Sequence, residues 1–223
     1  MISIKDICYI VAACKDNSDD IFFSPKNNDL VIAADGGYDI IKEKNIKSDI
    51  LLGDFDSIKN IPAHDNIVKH PVCKDDTDTF LAYKLAFEKG YRNFVIFGGV
   101  GGRVDHTIAN IHTLLHIAKN GGRGFLLGNG EIITTIYNSE IAFPQEEKGY
   151  ISVFAHEKNA SGVSLSGLKY CVDDITLESG LTLGTSNEFV GERAIISVSD
   201  GSLLIIWKEK SDSFLRNINS YMI

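Results

Sequence analysis

FVIFGGVGGRVDHTIANIHTLLHIAKNGG, residues 94–122, decides the fold. It opens with an apolar run that shows no polar alternation, the pattern of a strand buried on both faces of a parallel sheet. A loop with glycines at 98, 99, 101 and 102 follows. Ile108, Ile111 and Leu115 then recur at helical intervals, with Asp105 placed to cap the start and Gly121 to end the helix. Strand, glycine loop and helix in that order make one unit of an α/β layer.

Working outward, the same kind of run recurs in ICYIVAA (7–13), LVIAA (30–34), DILLG (49–53), NIVKH (66–70) and FLLG (125–128). TDTFLAYKLAFEKG (77–90) reads as a second helix. Leu81 and Leu85, with Phe80, Tyr83 and Phe87, fall at helical spacing, Asp76 or Asp78 can cap it, and Gly90 supplies the stop. From about Glu131 the pattern changes to EIITTIY, YISVFAH, ERAIISVS and SLLIIWKE, separated by Gly, Ser, Asn and Asp. Such runs predict antiparallel strands packed as a sandwich. The expected architecture is an α/β domain with a mainly parallel sheet over residues 1–130 and an all-β sandwich domain over 131–223.

Composition narrows the partners. A net charge of −8, with no cluster of Lys and Arg, argues against a nucleic-acid surface, and an anionic substrate would need a cation to accompany it. Cys8, Cys14, Cys73 and Cys171 have neither CxxC spacing nor histidines at zinc-finger intervals, so reduced thiols in a cytoplasmic protein are expected. The apolar run from Ile7 to Cys14 is too short for a membrane span and follows Asp6, which favours a buried strand over a membrane or signal segment.

The chemistry gathers at the ends of these runs. Asp35, with Gly36 and Gly37, follows LVIAA; Asp54 follows DILLG with Asp56 beside it; the four glycines follow FVIF. In open parallel sheets ligands bind at the carboxyl ends of strands, so separate segments converge on one crevice. Glycines let backbone N–H groups approach phosphate oxygens, and a helix N-terminus adds a positive dipole end. Asp35, Asp54, Asp56, Asp75, Asp76, Asp78 and Asp105 are hard oxygen donors that suit Mg²⁺ bridged to phosphates. Arg103 can hold a phosphate in a bidentate way, Lys74 as a point charge, and His106 can donate a hydrogen bond or shuttle a proton. Together they describe a metal-nucleotide site for phosphoryl-type transfer.

Each residue also has a plainer reading. An Asp after a strand forms turns or caps helices, and Lys74 beside DDTD suits a solvated charge run. His112 and His116, at i and i+4, read as surface residues of a helix rather than a metal face. Trp207 reads as packing, and Asn187 as a turn residue.

The ordered series AADGGYDII (33–41), LLGDFDSI (51–58), KDDTDTFLA (74–82) and GGVGGRVDHTIANIHTLL (98–115), with GTSNEF (184–189), resembles the thiamine pyrophosphokinase family. That resemblance implies transfer of pyrophosphate from ATP to the hydroxyl of thiamine, giving thiamine diphosphate and AMP, with Mg²⁺ required. It implies that Asp54 and Asp56 hold the metal, with Asp35 and Asp78 completing the acidic cluster. Either Asp78 or Asp54 would take the hydroxyl proton. Gly36, Gly37, Lys74, Thr77, Arg103, Asp105 and His106 would lie around the nucleotide. Ser186, Asn187 and Trp207 would belong to the thiamine pocket. It also implies a homodimer whose thiamine lies between one subunit's α/β domain and the partner's β domain. One departure is CKDNSDD after the first strand, where many members carry a glycine and this chain has three acids. A nucleotide-sugar transferase using an Asp-x-Asp metal motif, and a sensor that binds without chemistry, are the rival classes.

Overall fold

The computed structural model describes residues 6–14, 21, 23–53, 64, 66–69 and 76–221. All the apolar runs of the first half form strands: β1 (Ile7–Val11), β2 (Leu30–Ala34), β3 (Ile50–Gly53), β4 (Ile67–Lys69), β5 (Asn93–Phe97) and β6 (Arg123–Gly128). They pair in parallel in the order β4-β3-β2-β1-β5-β6. Three helices accompany them: α1 (Gly37–Glu43), α2 (Asp78–Glu88) and α3 (Val104–Lys119).

Alternate residues explain why the strands are apolar throughout. Cys8, Ile10, Ile32, Ala34 and Phe94 pack in one cluster with Ala82, Tyr83 and Leu114 of α2 and α3. Tyr9, Val11, Val31, Ala33 and Val95 point the other way, into a cluster that holds Ile40 and Ile41 of α1. Both faces are covered, so polar side chains are confined to the first residues of β5 and β6, Asn93 and Arg123, and to Lys69 of the edge strand β4.

The helix starts differ from the sequence reading. Thr77, not Asp76 or Asp78, caps α2, its Oγ1 accepting the N–H of Phe80 at 3.3 Å, and Asp78 is the first helical residue. Arg103 occupies the cap position of α3 without a side-chain bond to the helix backbone. Asp105 sits in the first turn and gives its carboxylate to Arg103 instead. Gly121, with φ of 74°, follows the last turn of α3 as the sequence suggests.

Beyond β6 the left-handed pair Asn129 and Gly130 (φ 58° and 68°) turns the chain into β7 (Glu131–Tyr137). Two consecutive left-handed residues are what a tight hairpin demands, and Asn-Gly supplies them at least cost. β7 pairs antiparallel with both β6 and β13 (Asp200–Lys208), and β13 with β9 (Tyr150–Ser166), so the sheet continues across residue 130. β9 is 17 residues long and pairs in two layers. Its far half joins β10 (Val172–Leu177) and β12 (Ala194–Ser197), and β12 pairs with β8 (Glu140–Phe143). The short β11 (Asn187–Glu188) pairs with its beginning. Phe143, Val163 and Ile196 of one layer share a core with Val153, Leu203 and Trp207 of the other. Helix α4 (Ser211–Asn217) and a 3₁₀ turn, Ile218–Ser220, close that core with Phe214 and Tyr221. Among the described residues no helix is long and apolar enough to cross a membrane.

Candidate active site

After β1 the chain adds β2, β3 and β4 on one side, then returns to place β5 and β6 on the other. The strand order therefore reverses at β1, and a crevice opens outside the carboxyl ends of the strands beside it. A cavity of about 350 Å³ lies there. Ala12, Ala13 and Cys14 enter it from β1, Ala34 and Asp35 from β2, and Gly98, Gly99, Gly101 and Gly102 from β5. Thr77, Asp78 and Thr79 come from the start of α2, and Arg103, His106 and Asn110 from α3. Two helices begin at the cavity, so two positive dipole ends converge where an anion would lie.

Local geometry explains the residue types. Asp35 has φ of 48°, a left-handed conformation that Asp tolerates better than most residues, and its N–H donates to Leu52 O at 2.7 Å. A Cβ on Gly53 would come within 3.2 Å of the Asp35 Cα, so the glycine lets β3 pass beside it. A Cβ on Gly37 would stand 1.9 Å from Val11 O. Gly37 is thus required for α1 to pack on β1, and neither Gly36 nor Gly37 is among the residues lining the cavity, although both follow Asp35, which is.

On the rim, Arg103 donates from Nε to Asp105 Oδ1 at 3.1 Å and from Nη2 to Oδ2 at 2.6 Å. This hydrogen bonding holds the Asp105 carboxyl below the usual carboxylate range and raises the guanidinium of Arg103. Asp105 itself is not part of the cavity lining; it braces a residue that is. Asp35 and Asp78 are brought into the same cavity, and their carboxylates are donors of the kind Mg²⁺ takes. Asp54, Asp56 and Lys74 lie outside the described residues. Among the described residues no cluster of three or more His, Cys, Asp or Glu side chains forms a metal site.

A second cavity, of about 360 Å³, opens in the β-rich part between Leu165, Tyr170, Val172, Ile175, Leu177 and Leu183, with Thr185 and Asn187 as its polar edge. Asn187 is 5% exposed and its amide is engaged: Oδ1 accepts the N–H groups of Tyr170 and Glu188, and Nδ2 donates to Tyr170 O at 2.8 Å. It therefore shapes the cavity wall by pinning the chain at Tyr170. Ser186 is exposed with φ of 57° and donates its N–H to Ser152 Oγ, outside the lining. Trp207 is corrected from pocket to core. It is 1% exposed, packs edge-on against Phe143, and donates Nε1 to Glu209 at 3.1 Å.

His112 and His116 go separate ways. His116 Nδ1 lies 3.1 Å from the hydroxyl of Tyr83 on α2, while His112 stacks on His156 of β9. The sequence reading missed Ala12 to Cys14, Thr79 and Asn110. The loop after β1 lacks glycine but reaches the site with its backbone, Cys14 N–H donating to Gly98 O at 3.0 Å. Asn110 carried a weak signal: it lies two turns beyond Arg103, on the same helix face.

Residues 24–126 match the catalytic domain of thiamin pyrophosphokinase, and residues 138–203 match its vitamin B1 binding domain. Thiamine pyrophosphokinase of Bacillus subtilis is 29% identical over 213 residues, which cover 91% of this chain and 98% of that protein. Thiamin pyrophosphokinase 1 of Caenorhabditis elegans is 27% identical over 202 residues, 82% of each chain. The crystal structure of the Bacillus subtilis protein superposes with a TM-score of 0.82, covering 92% of this chain and 99% of the other. That of thiamin pyrophosphokinase from Geobacillus thermodenitrificans, 24% identical, shares the fold with a TM-score of 0.78. The two domain matches follow one another in order and together span well over half of the sequence, so the chain belongs to the thiamin pyrophosphokinase family.

Proposed function

We propose that the protein transfers the pyrophosphate group of ATP to the hydroxyl of thiamine, releasing AMP, as a Mg²⁺-dependent cytoplasmic homodimer. The observation that carries this reading is the cavity where the strand order reverses. There Asp35, Asp78, a glycine loop and two helix N-termini converge in a chain of this family.

The polyphosphate of ATP suits the glycine loop and the helix starts, which offer N–H groups and positive dipole ends. Arg103, held by Asp105, offers a forked donor to a phosphate. The hydroxyl oxygen of thiamine attacks the β-phosphorus, the bond from that phosphorus to the oxygen bridging to the α-phosphorus breaks, and AMP leaves with that oxygen. The hydroxyl proton passes to a carboxylate, for which Asp78 is placed at the cavity and Asp54 is the alternative. Asp35 and Asp78, with Asp54 and Asp56, would hold Mg²⁺, which when bound neutralises charge on phosphate oxygens. An acidic protein also attracts the cationic thiazolium of thiamine.

The apolar second cavity suits the rings of thiamine. Among the described residues none lines both cavities, which supports assembly of the complete site from two copies. Tyr170, Leu181, Leu183 and Val190 on the β part, and Val104 and Ile108 beside the first cavity, are all at least half exposed. Apolar surface of this kind is what a partner copy would cover.

The test is to incubate purified protein with ATP, Mg²⁺ and thiamine and separate the products. Equal amounts of AMP and thiamine diphosphate are expected. ADP with thiamine monophosphate would replace this reading with a simple kinase, and thiamine binding without turnover would replace it with a sensor. Light scattering should give the mass of a dimer; an active monomer would overturn the shared site.

A further inference from the structure

At the head of the glycine loop three consecutive carbonyl groups each accept a hydrogen bond from the protein. Phe97 O takes the N–H of Ala12 at 2.8 Å, Gly98 O the N–H of Cys14 at 3.0 Å, and Gly99 O the Nδ2 of Asn110 at 2.9 Å. The carbonyl oxygens that would repel a polyphosphate are thereby held on protein donors. Two of the three donors are main-chain groups carried by the segment after β1. The third is a side chain, and it alone can be removed by substitution.

Asn110 is built into this place. It is 4% exposed, lies on α3 and lines the same cavity as Gly99. A Cβ on Gly99 would stand 2.8 Å from Asn110 Nδ2 and 2.6 Å from Leu126 Cδ1, so loop and amide already touch. The acceptor at Gly99 sets the orientation of the amide, because only its NH₂ can donate. Neither a carboxylate nor an alkyl group of similar size can make that bond.

We propose that Asn110 is a positioning residue for the polyphosphate of ATP. It acts through the Gly99 carbonyl and keeps the glycine loop in the shape that receives the anion. This inference rests on the nucleotide reading above. A buried carbonyl left unpaired is unfavourable, and the loop can relieve that only by turning the oxygen elsewhere. The affinity for ATP suffers while the thiamine side of the reaction does not.

The test compares wild type with Asn110→Asp at pH 8. The shape is kept, but a carboxylate faces Gly99 O. Expected are a KM for ATP and a dissociation constant for a non-hydrolysable ATP analogue raised about tenfold, the factor that corresponds to about 1.4 kcal/mol. The KM for thiamine should stay unchanged. Should the aspartate variant not fold, Asn110→Leu carries the same comparison. A folded variant with unaltered ATP affinity, or with both KM values raised equally, overturns the proposal, as does a lowered melting temperature with no change in KM. Wild type that binds the analogue but forms no AMP would remove the pyrophosphate-transfer reading alone, since the binding comparison still decides the part played by Asn110. Wild type that binds no analogue would overturn both.

Discussion

Arg103 clamps Asp105 through two parallel hydrogen bonds on the rim of the first cavity, and both side chains are exposed. An exposed ion pair adds little to stability, so its consequence is the orientation of the guanidinium. Asp105→Asn should leave the melting temperature unchanged and raise the KM for ATP about two- to fivefold. Steady-state kinetics at varied ATP and a thermal melt check both halves. A loss of kcat beyond a hundredfold would instead assign Asp105 a direct part in the reaction.

Asp35 and Asp78 reach one cavity from β2 and α2, and neither is fully buried. Asn is the informative replacement at Asp35, because it accepts a left-handed backbone as readily as Asp does, whereas Ala would add strain. Asp35→Asn and Asp78→Asn should each lower the rate of AMP formation by at least about a hundredfold, the usual effect of removing one group that stabilises a transition state. Circular dichroism should be unchanged. An active, folded variant would take that carboxylate out of the site.

Much of this was legible in the sequence because burial on two faces leaves an apolar signature. Runs such as LVIAA and FVIF fall on β2 and β5 to within a residue. Asp35 at the end of β2 and Asp78 at the start of α2, singled out in the sequence for their own chemistry, both line the first cavity. Residues that act through geometry were not legible. Gly37 looks like a phosphate-loop glycine in the sequence, but the 1.9 Å approach of Val11 O that requires it exists only in the folded sheet. Asn110 and Cys14 matter through bonds to a loop that the sequence separates from Cys14 by most of the parallel sheet. The continuity of the sheet past residue 130 was hidden because the pattern changes there, from unbroken apolar runs to short alternating ones, while β7 still pairs with β6.

Between α3 and the β-rich part, the rings of His112 and His156 stack with centroids 5.8 Å apart, while Lys119 pairs with Glu157 at 2.6 Å. His156 Nδ1 is buried with no hydrogen bond among the described residues. Burial, and then the charge of His112, lower the His156 pKa; Glu157 opposes this and Lys119 adds to it. Between the lowered folded pKa and the ordinary value of 6.5, the unfolded chain binds a proton that the folded chain does not. Stability should therefore be level above that value and fall as the pH drops through the folded pKa. Urea midpoints from pH 8 to pH 5 should show a shallower decline in His156→Leu than in wild type. Equal slopes would rule the histidine out.

The opposite sign is expected where the C-terminus closes the β core. Tyr221 donates its hydroxyl to Glu147 at 2.5 Å and also approaches Glu209 at 3.3 Å, and Glu209 Oε1 is buried with no partner among the described residues. Burial pushes both carboxyl groups above their ordinary range, against the hydrogen bonds that favour their charged forms. From the ordinary value of 4.5 up to the raised folded pKa, the folded chain holds a proton that the unfolded chain has lost, so stability falls as pH rises through that window. Glu147→Gln keeps an acceptor for Tyr221 without the charge. It should melt higher than wild type at pH 7, by roughly 2–4 °C, the shift that about 1 kcal/mol produces in a domain of this size. The gap should narrow as the pH is lowered toward 4.5, where the unfolded carboxyl is half protonated and the folded one, with its raised pKa, more fully so. Calorimetric scans of the two proteins at pH 7 and pH 4.5 measure both quantities. A glutamine variant that melts below wild type at pH 7 would show that the charged carboxylate strengthens the Tyr221 bond by more than its burial costs.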